Sequence, residues 1–256
     1  MTCENRNTPA PIQLMSVGIV AYNEAAYLPE LLAQLRAQDY DHSRIELVLV
    51  DSASTDDTLQ IMEAFAAQNA AADAAQAGAG EQRAGVGEQA RVPAGATGEG
   101  FGFARVQVLS NPKRIQAAGW NVAIASFTGD ALVRVDAHAS IPPSFVSANV
   151  AVLNEGEYVC GGMRPTCIAP GEETPWRATL HVAEESAFGS SVATYRRAPE
   201  ARYVNSLFHA CYRREVFDAV GGFNETLLRT EDNDFHYRVR EAGFQIKLDP
   251  RINSTQ

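Results

Sequence analysis

Residues 15–56 read MSVGIVAYNEAAYLPELLAQLRAQDYDHSRIELVLVDSASTD, and this stretch decides the fold class. Met15 to Ala21 is a short apolar run of strand length. Ile45 to Val50 is a second, β-branched and aliphatic apart from Glu46, as expected of a strand covered on both faces. Between them, Ala26 to Gln38 carries Leu28, Leu31, Leu32 and Leu35 at helical spacing. Strand, helix, strand predicts a parallel pair joined by a crossover helix, the unit of an α/β sheet. Thr55 to Gln68 extends the alternation as a helix, with Ser54 or Thr55 as N-cap and Asp56 and Asp57 complementing the dipole of its first turn.

The alternation then breaks and resumes. From about Ala66 to Gly102 the chain is mostly Ala, Gly, Gln and Glu, too poor in large apolar residues to be stabilised by burial. Gly78, Gly80, Gly85 and Gly87 oppose an Ala-rich helix there, so a disordered insertion is expected over about 68–102. Beyond it the pattern predicts a strand at Ala104 to Leu109, a helix at Ile115 to Ser126, and a strand at Ala131 to Val135 that ends in Asp136. A helix near Pro143 to Asn154, a strand near Tyr158 to Met163, an irregular stretch to Trp176 and a helix before Gly189 follow. Ser206 to Tyr212 is expected as a strand, Glu215 to Val220 as a short helix, and Glu231 to Ala242 as a helix closed by Gly243. Residues 1–14 read as a polar tail and 15–256 as one domain. Asp249 to Gln256 follows a predicted strand with no closing helix or stop signal, so a longer natural protein is expected.

Composition limits what this domain can be. A chain of 256 residues, 46% hydrophobic, can bury a proper core. Its net charge of -10 argues against a nucleic-acid partner, which would call for a basic stripe. Cys3, Cys160, Cys167 and Cys211 lack CxxC spacing, which speaks against zinc and for a reducing, cytoplasmic compartment. The stretch Met1 to Pro11 has no signal-peptide core, and no run is long enough to span a bilayer.

Chemistry concentrates where strands end. Ligands of open α/β sheets bind beyond the carboxyl ends of the strands, and Tyr22-Asn23-Glu24 and Asp51-Ser52-Ala53-Ser54-Thr55-Asp56 both fall there. Asp51 can accept hydrogen bonds from a nucleobase or ribose, and Tyr22 can offer its face to the base; Asp51 and Ser54 serve equally well as caps of the next helix. Arg134-Val135-Asp136-Ala137-His138-Ala139 sets a carboxylate and an imidazole two positions apart, able to reach one Mg²⁺ or Mn²⁺ if the chain turns, or else a turn residue and a structural histidine. Thr230-Glu231-Asp232-Asn233-Asp234 opens a helix with three carboxylates in four positions, more than dipole compensation requires, and one of them can act as a general base. Tyr195-Arg196-Arg197 and Arg202-Tyr203 are either anion-holding groups or a solvated loop.

In this order and spacing the motifs resemble the family 2 glycosyltransferases, inverting enzymes of the GT-A fold, from about Met15 to Pro250. The resemblance implies an α/β fold with a mainly parallel, Rossmann-like sheet, whose residues 15–136 bind a nucleotide sugar and whose residues 137–256 bind the acceptor. Ser16 to Glu24 has the form of the family's first motif, and Asp51, Ser54 and Asp56 that of its second, with Asp51 binding the base. Asn121 corresponds to an asparagine beside the nucleotide sugar. Asp136-Ala137-His138 stands where the family has Asp-x-Asp, so Asp136 holds the divalent metal (Mn²⁺ or Mg²⁺) with or without His138. Gly221 to Glu225 precedes the acceptor region, and Thr230-Glu231-Asp232 matches the motif whose aspartate is the catalytic base, with Glu231 and Asp234 in support. Together with Asn111-Pro112-Lys113-Arg114, these segments resemble the succinoglycan-type bacterial exopolysaccharide transferases. That implies a nucleoside-diphosphate sugar donor, UDP favoured, a glycan or lipid-linked acceptor, and peripheral association with the inner face of the plasma membrane through a further C-terminal segment. The competing readings are a nucleotide-sugar-binding protein with little transferase activity, and a sugar nucleotidyltransferase, which the absence of a Gly-rich phosphate loop after the first strand disfavours.

Overall fold

The computed structural model of the protein describes residues 8–83, 102–163, 174–176, 179 and 200–255. Cys3, Cys167, the irregular stretch at 164–173, the helix expected before Gly189, Tyr195-Arg196-Arg197 and most of the second half of the insertion lie outside the described residues. β1 (Met15–Ala21), α1 (Leu28–Arg36) and β2 (Ile45–Asp51) form the expected crossover unit, with Leu28, Leu31, Leu32 and Leu35 all buried. α2 (Thr58–Arg83), β3 (Arg105–Ser110), α3 (Gln116–Ser126), β4 (Ala131–Asp136), α4 (Phe145–Asn154) and β5 (Val159–Met163) continue the alternation. β6 (Arg202–Val204), β7 (Cys211–Arg213), α5 (Arg214–Val220), α6 (Glu231–Glu241) and β8 (Ile246–Asn253) complete it.

Among the described residues the strands form one eight-stranded sheet in the order β3-β2-β1-β4-β7-β5-β8-β6. β3, β2, β1 and β4 are parallel, β7 is antiparallel to both β4 and β5, β8 is parallel to β5, and β6 is antiparallel to β8. The sheet is therefore mainly parallel. Alternate side chains serve two cores. Leu47, Leu49, Val133 and Val135 pack with α1, α2 and α4, while Val48, Val50 and Leu132 pack with α3, α5 and α6. Gly119 lets α3 approach β1 closely, since a Cβ there would lie 2.5 Å from Val20.

Four expectations change. α2 runs to Arg83, through residues 68–83 that composition gave to a disordered insertion. Alanine's helix propensity outweighs the lack of large side chains, and Asn69 anchors the helix by accepting from the Phe103 N–H at 3.2 Å. The segment before β1 is not a free tail: Ile12 is fully buried, and its N–H donates to Asn154 Oδ1 at 2.8 Å. Residues 206–210 form a loop rather than a strand, because His209 takes a left-handed φ of 45° that a continuing strand forbids. β8 continues through Asp249 to Asn253, its register against β5 shifting between Gly161 and Met163, and Pro250 falls in that irregular stretch.

One buried charge aligns the parallel half. Glu46, fully buried in β2, accepts from Ser16 Oγ at 2.5 Å, Gln107 Nε2 at 2.9 Å, and the Thr128 N–H and hydroxyl at 2.7 and 3.0 Å. These donors come from β1, β3 and the turn that leads into β4. Glu46→Ala leaves all four without their acceptor and is expected to cost about 3–5 kcal/mol of stability. Glu46→Gln turns one acceptor into a donor and should cost about 1–3 kcal/mol. Urea denaturation of the two variants checks both values; wild-type midpoints would remove Glu46 from this role.

Candidate active site

Register brings the chemistry-bearing loops to one edge of the sheet. Ala21 lies beside Asp51, Val20 beside Asp136, and Asp51 beside Ser110, so the carboxyl ends of β1 to β4 are level. Side chains then stitch the first two loops together. The Asn23 N–H donates to Ser54 Oγ at 3.0 Å, the Thr55 N–H to Asn23 Oδ1 at 2.8 Å, and the Glu24 N–H to Thr58 Oγ1 at 2.8 Å. Asp56, not Ser54 or Thr55, faces the start of α2, accepting from the Thr58 N–H at 3.0 Å. Asn23, Ala53, Arg114, His209 and Thr230 are the described non-glycine residues with left-handed φ, and all five lie in loops at this edge. Such strain persists where the surrounding structure over-determines it, as binding sites do.

These loops enclose a cavity of about 660 Å³, lined by Tyr22, Glu24, Ser52, Arg114, Arg134, Asp136, His138, Ser206 to Phe208 and Thr230 to Asn233. That is ample for a nucleotide sugar. Tyr22 is half exposed, with the Arg114 guanidinium 5.6 Å from its ring centroid. Asp51 lies behind the wall, buried, both its oxygens 3.3 Å from the Ser54 N–H. Ser54 holds Asn23 and does not line the cavity. Asn121 does not line it either: its amide is spent on the backbone of Phe223 and on Glu225. Arg202 and Tyr203 sit on β6, away from the lining, with the Tyr203 hydroxyl donating to Glu157.

The cation-binding candidates meet on one wall. His138 Nδ1 is 3.0 Å from Glu24 Oε1, and His209 Nε2 is 3.6 Å from Asp136 Oδ2. Burial would raise the proton affinity of Asp136, but its hydrogen bond to His209 and the nearby Arg134 guanidinium outweigh that and hold it at about 2. It is a carboxylate at neutral pH. Among the described residues no three His, Cys, Asp or Glu side chains converge into a cation cage. Asp136 with His138 fits the partial donor set that Mg²⁺ or Mn²⁺ takes beside a diphosphate, whose oxygens and waters supply the rest.

The first turn of α6 also lines the cavity. Glu231 is buried, and burial together with the adjacent Asp232 raises its proton affinity. Asp232 forms a close ion pair with Arg134 of β4. Asp234 instead pairs with Arg238 at 2.9 Å, one turn along, and stays out of the lining. Beneath this turn His236 is buried, its ring nitrogens 2.7 Å from the Tyr212 hydroxyl and 2.9 Å from Ser206 Oγ. Reading the sequence missed Arg134, His209 and His236. For Arg134 the signal was present, since it is the one charge inside the apolar run Ala131 to Val135.

A family model described as Glycosyl transferase family 2 matches residues 16–72 and 99–221. The chain is 28% identical over 232 residues to the Succinoglycan biosynthesis protein ExoA of Rhizobium meliloti (strain 1021), covering 89% of this chain and 58% of that protein. It is 26% identical over 217 residues to the Undecaprenyl-phosphate 4-deoxy-4-formamido-L-arabinose transferase of Pseudomonas savastanoi pv. phaseolicola (strain 1448A / Race 6), covering 82% of this chain and 53% of that protein. The chain thus spans little more than half the length of these relatives. Among solved structures, the mannosyltransferase PcManGT from Pyrobaculum calidifontis, in complex with GDP-Man and Mn²⁺, matches with a TM-score of 0.60 at 20% identity, over 98% of this chain and 58% of that one. At that identity the likeness concerns the fold, which is GT-A as expected.

The buried histidine generates a pH dependence. Burial, opposed by the nearby Asp232 charge and reinforced by Arg134 and Arg240, depresses His236 from 6.5 to about 4. The unfolded chain binds this proton near pH 6.5 and the folded chain only near pH 4, so stability present above 6.5 is lost as the pH falls through that window, by roughly 3 kcal/mol. Melting curves of wild type and His236→Gln from pH 7.5 to 4 should diverge accordingly, the variant losing less. Parallel curves would place the proton elsewhere.

Proposed function

From the premise that this chain belongs to glycosyl transferase family 2, we propose that it transfers a sugar from a nucleoside diphosphate donor to an acceptor hydroxyl with inversion at the anomeric carbon. The observation that carries the reading is that Asp136, at the end of a parallel strand, and Asp232, at the start of α6, line one cavity.

The donor side is formed by the loops after β1 to β4. Tyr22 offers its ring to the base, Arg114 supplies a cation beside it, and Asp51, behind the wall, holds the Ser54 N–H and so supports the loop that carries Ser52. Glu24 orients His138. Asp136 and His138 would hold a divalent metal, which when bound offsets the charge of the departing diphosphate. Asp232 takes the proton from the acceptor hydroxyl. The oxygen forms its bond to the anomeric carbon as the bond to the diphosphate breaks on the opposite face. No covalent enzyme intermediate is needed, and positioning supplies much of the acceleration. Glu231 borders the acceptor and Asp234 anchors the helix through Arg238. Asn121 acts at one remove from the donor.

The named relatives support a glycan or lipid-linked acceptor and a role in bacterial exopolysaccharide or cell-surface glycan synthesis, and the donor base we propose is that of uridine. No helix among the described residues is long and apolar enough to cross a membrane; peripheral association with the inner face of the plasma membrane through a further C-terminal segment is part of the proposal. A donor-binding protein with little transferase activity is the second reading, favoured by His138 in place of a second aspartate.

Calorimetry with UDP and GDP, with and without Mn²⁺, separates these readings when paired with nucleotide release from UDP-glucose, UDP-N-acetylglucosamine and GDP-mannose. Asp232→Asn should bind nucleotide normally and turn over about 10²–10⁴-fold more slowly. Asp136→Ala should lose the metal-dependent part of the binding. Near-normal turnover in Asp232→Asn removes it as base, and tight binding without turnover in the wild type favours the second reading.

A further inference from the structure

We propose that Arg134 is a positioning residue for the Asp232 carboxylate, held for that task in an aromatic clamp that Asn121 closes. The inference rests on Asp232 being the base of the transfer proposed above.

Arg134 is an unusual resident of its strand. It is 7% exposed, in a run whose other members are apolar, yet it reaches the cavity lining. Its guanidinium carbon lies 4.4 Å from the Trp120 ring centroid and 4.7 Å from that of Phe223, so two aromatic rings pack against it. Its Nη1 meets Asp232 Oδ1. The second carboxylate oxygen is left for a ligand in the cavity.

The clamp is itself locked. Asn121 Oδ1 accepts from the Phe223 N–H at 2.7 Å, and its Nδ2 donates to the Phe223 carbonyl at 2.9 Å. A Cβ at Gly222 would lie 2.3 Å from Asn121 Oδ1, so a side chain there would displace the Asn121 amide from Phe223. Arg238 of α6 donates to the Val220 and Gly222 carbonyls at 2.7 and 2.9 Å, tying the same turn to the helix that bears Asp232. Asn121 thus reaches the reaction through Phe223 and Arg134, which accounts for its absence from the cavity wall.

Stability alone does not explain this arrangement. A buried ion pair seldom improves on well-packed apolar residues, and the Arg134 Nε is buried with no hydrogen-bond partner. What the pair supplies is geometry: a base fixed in one orientation from a rigid strand. The charge of Arg134 also acts on Asp136, so one cation influences both carboxylates.

The test is a double-mutant cycle on nucleotide release from UDP-glucose, UDP-N-acetylglucosamine and GDP-mannose with Mn²⁺. Arg134→Met and Asp232→Asn should each slow turnover about 100-fold or more, and the double variant should be no slower than Asp232→Asn within about threefold. Arg134→Lys should recover part of the loss. UDP and GDP affinity should stay within about threefold of wild type, and the double variant should melt no lower than wild type. Multiplying losses, or a double variant that melts well below wild type, would mean a structural role and overturn the proposal. If the folded wild type releases nucleotide from none of these donors, the transfer reading is what fails. Hydrogen exchange in the ligand-free chain then still tests the positioning. Amides of 230–234 should exchange about tenfold faster in Arg134→Met and Asn121→Ala while those of α4 are unchanged, and equal rates in all three proteins would overturn it.

Discussion

A single buried carboxylate, Glu46, aligns the sheet from the end opposite the cavity. Its acceptors draw a donor from β1, one from β3 and two from the turn before β4. A one-residue slip of any of these strands would strand a buried charge among apolar side chains and reverse which residues face each core. With the amino ends pinned, the carboxyl ends are level. Ala21, Asp51, Ser110 and Asp136 therefore close their strands side by side, and the loops that follow must share one space.

Two halves of different character meet over that space. The parallel half supplies Tyr22, Glu24, Asp136 and His138, while the mixed half supplies Ser206 to Phe208 and the first turn of α6. Antiparallel β7 is the splice between them, pairing with β4 on one side and β5 on the other. Arg134 crosses the same junction by side chain, from β4 to Asp232. The left-handed residues cluster here because each loop must turn sharply off a strand end while its backbone groups are held by a neighbouring loop, as Asn23 is by Ser54 and Thr55.

Most of the architecture was legible as pattern. Strands buried on both faces leave continuous aliphatic runs, and Leu28, Leu31, Leu32 and Leu35 leave a helical stripe, so β1, α1 and β2 were read within a few residues. The failures share a cause. At 206–210 the run is apolar because Leu207 and Ala210 are buried by tertiary packing, and nothing local announces the left-handed turn at His209. At 68–83 the helix lacks large apolar residues, and composition undervalued alanine's propensity together with the distant anchor at Phe103. Within the site, positions at strand ends were legible but partners were not. Asp234 turned to Arg238, Asn121 to Phe223, and Asp56 rather than Ser54 to the start of α2.

The sequence by itself determined the α/β class, the strands that carry chemistry, and the strand ends and helix start at which Tyr22, Asp51, Asp136 and Asp232 lie. Those follow from periodicity and from residue type at a strand end, both local properties of the chain. Only the tertiary structure decided which of these groups face the cavity and which are spent on its walls. Arg134 is 98 positions from Asp232. It reaches that partner because β4 and α6 pack into the same core, and because Trp120 and Phe223, from two further segments, pack against its guanidinium. Contacts of that separation are set by burial and shape summed over the whole core, which no local stretch of residues encodes.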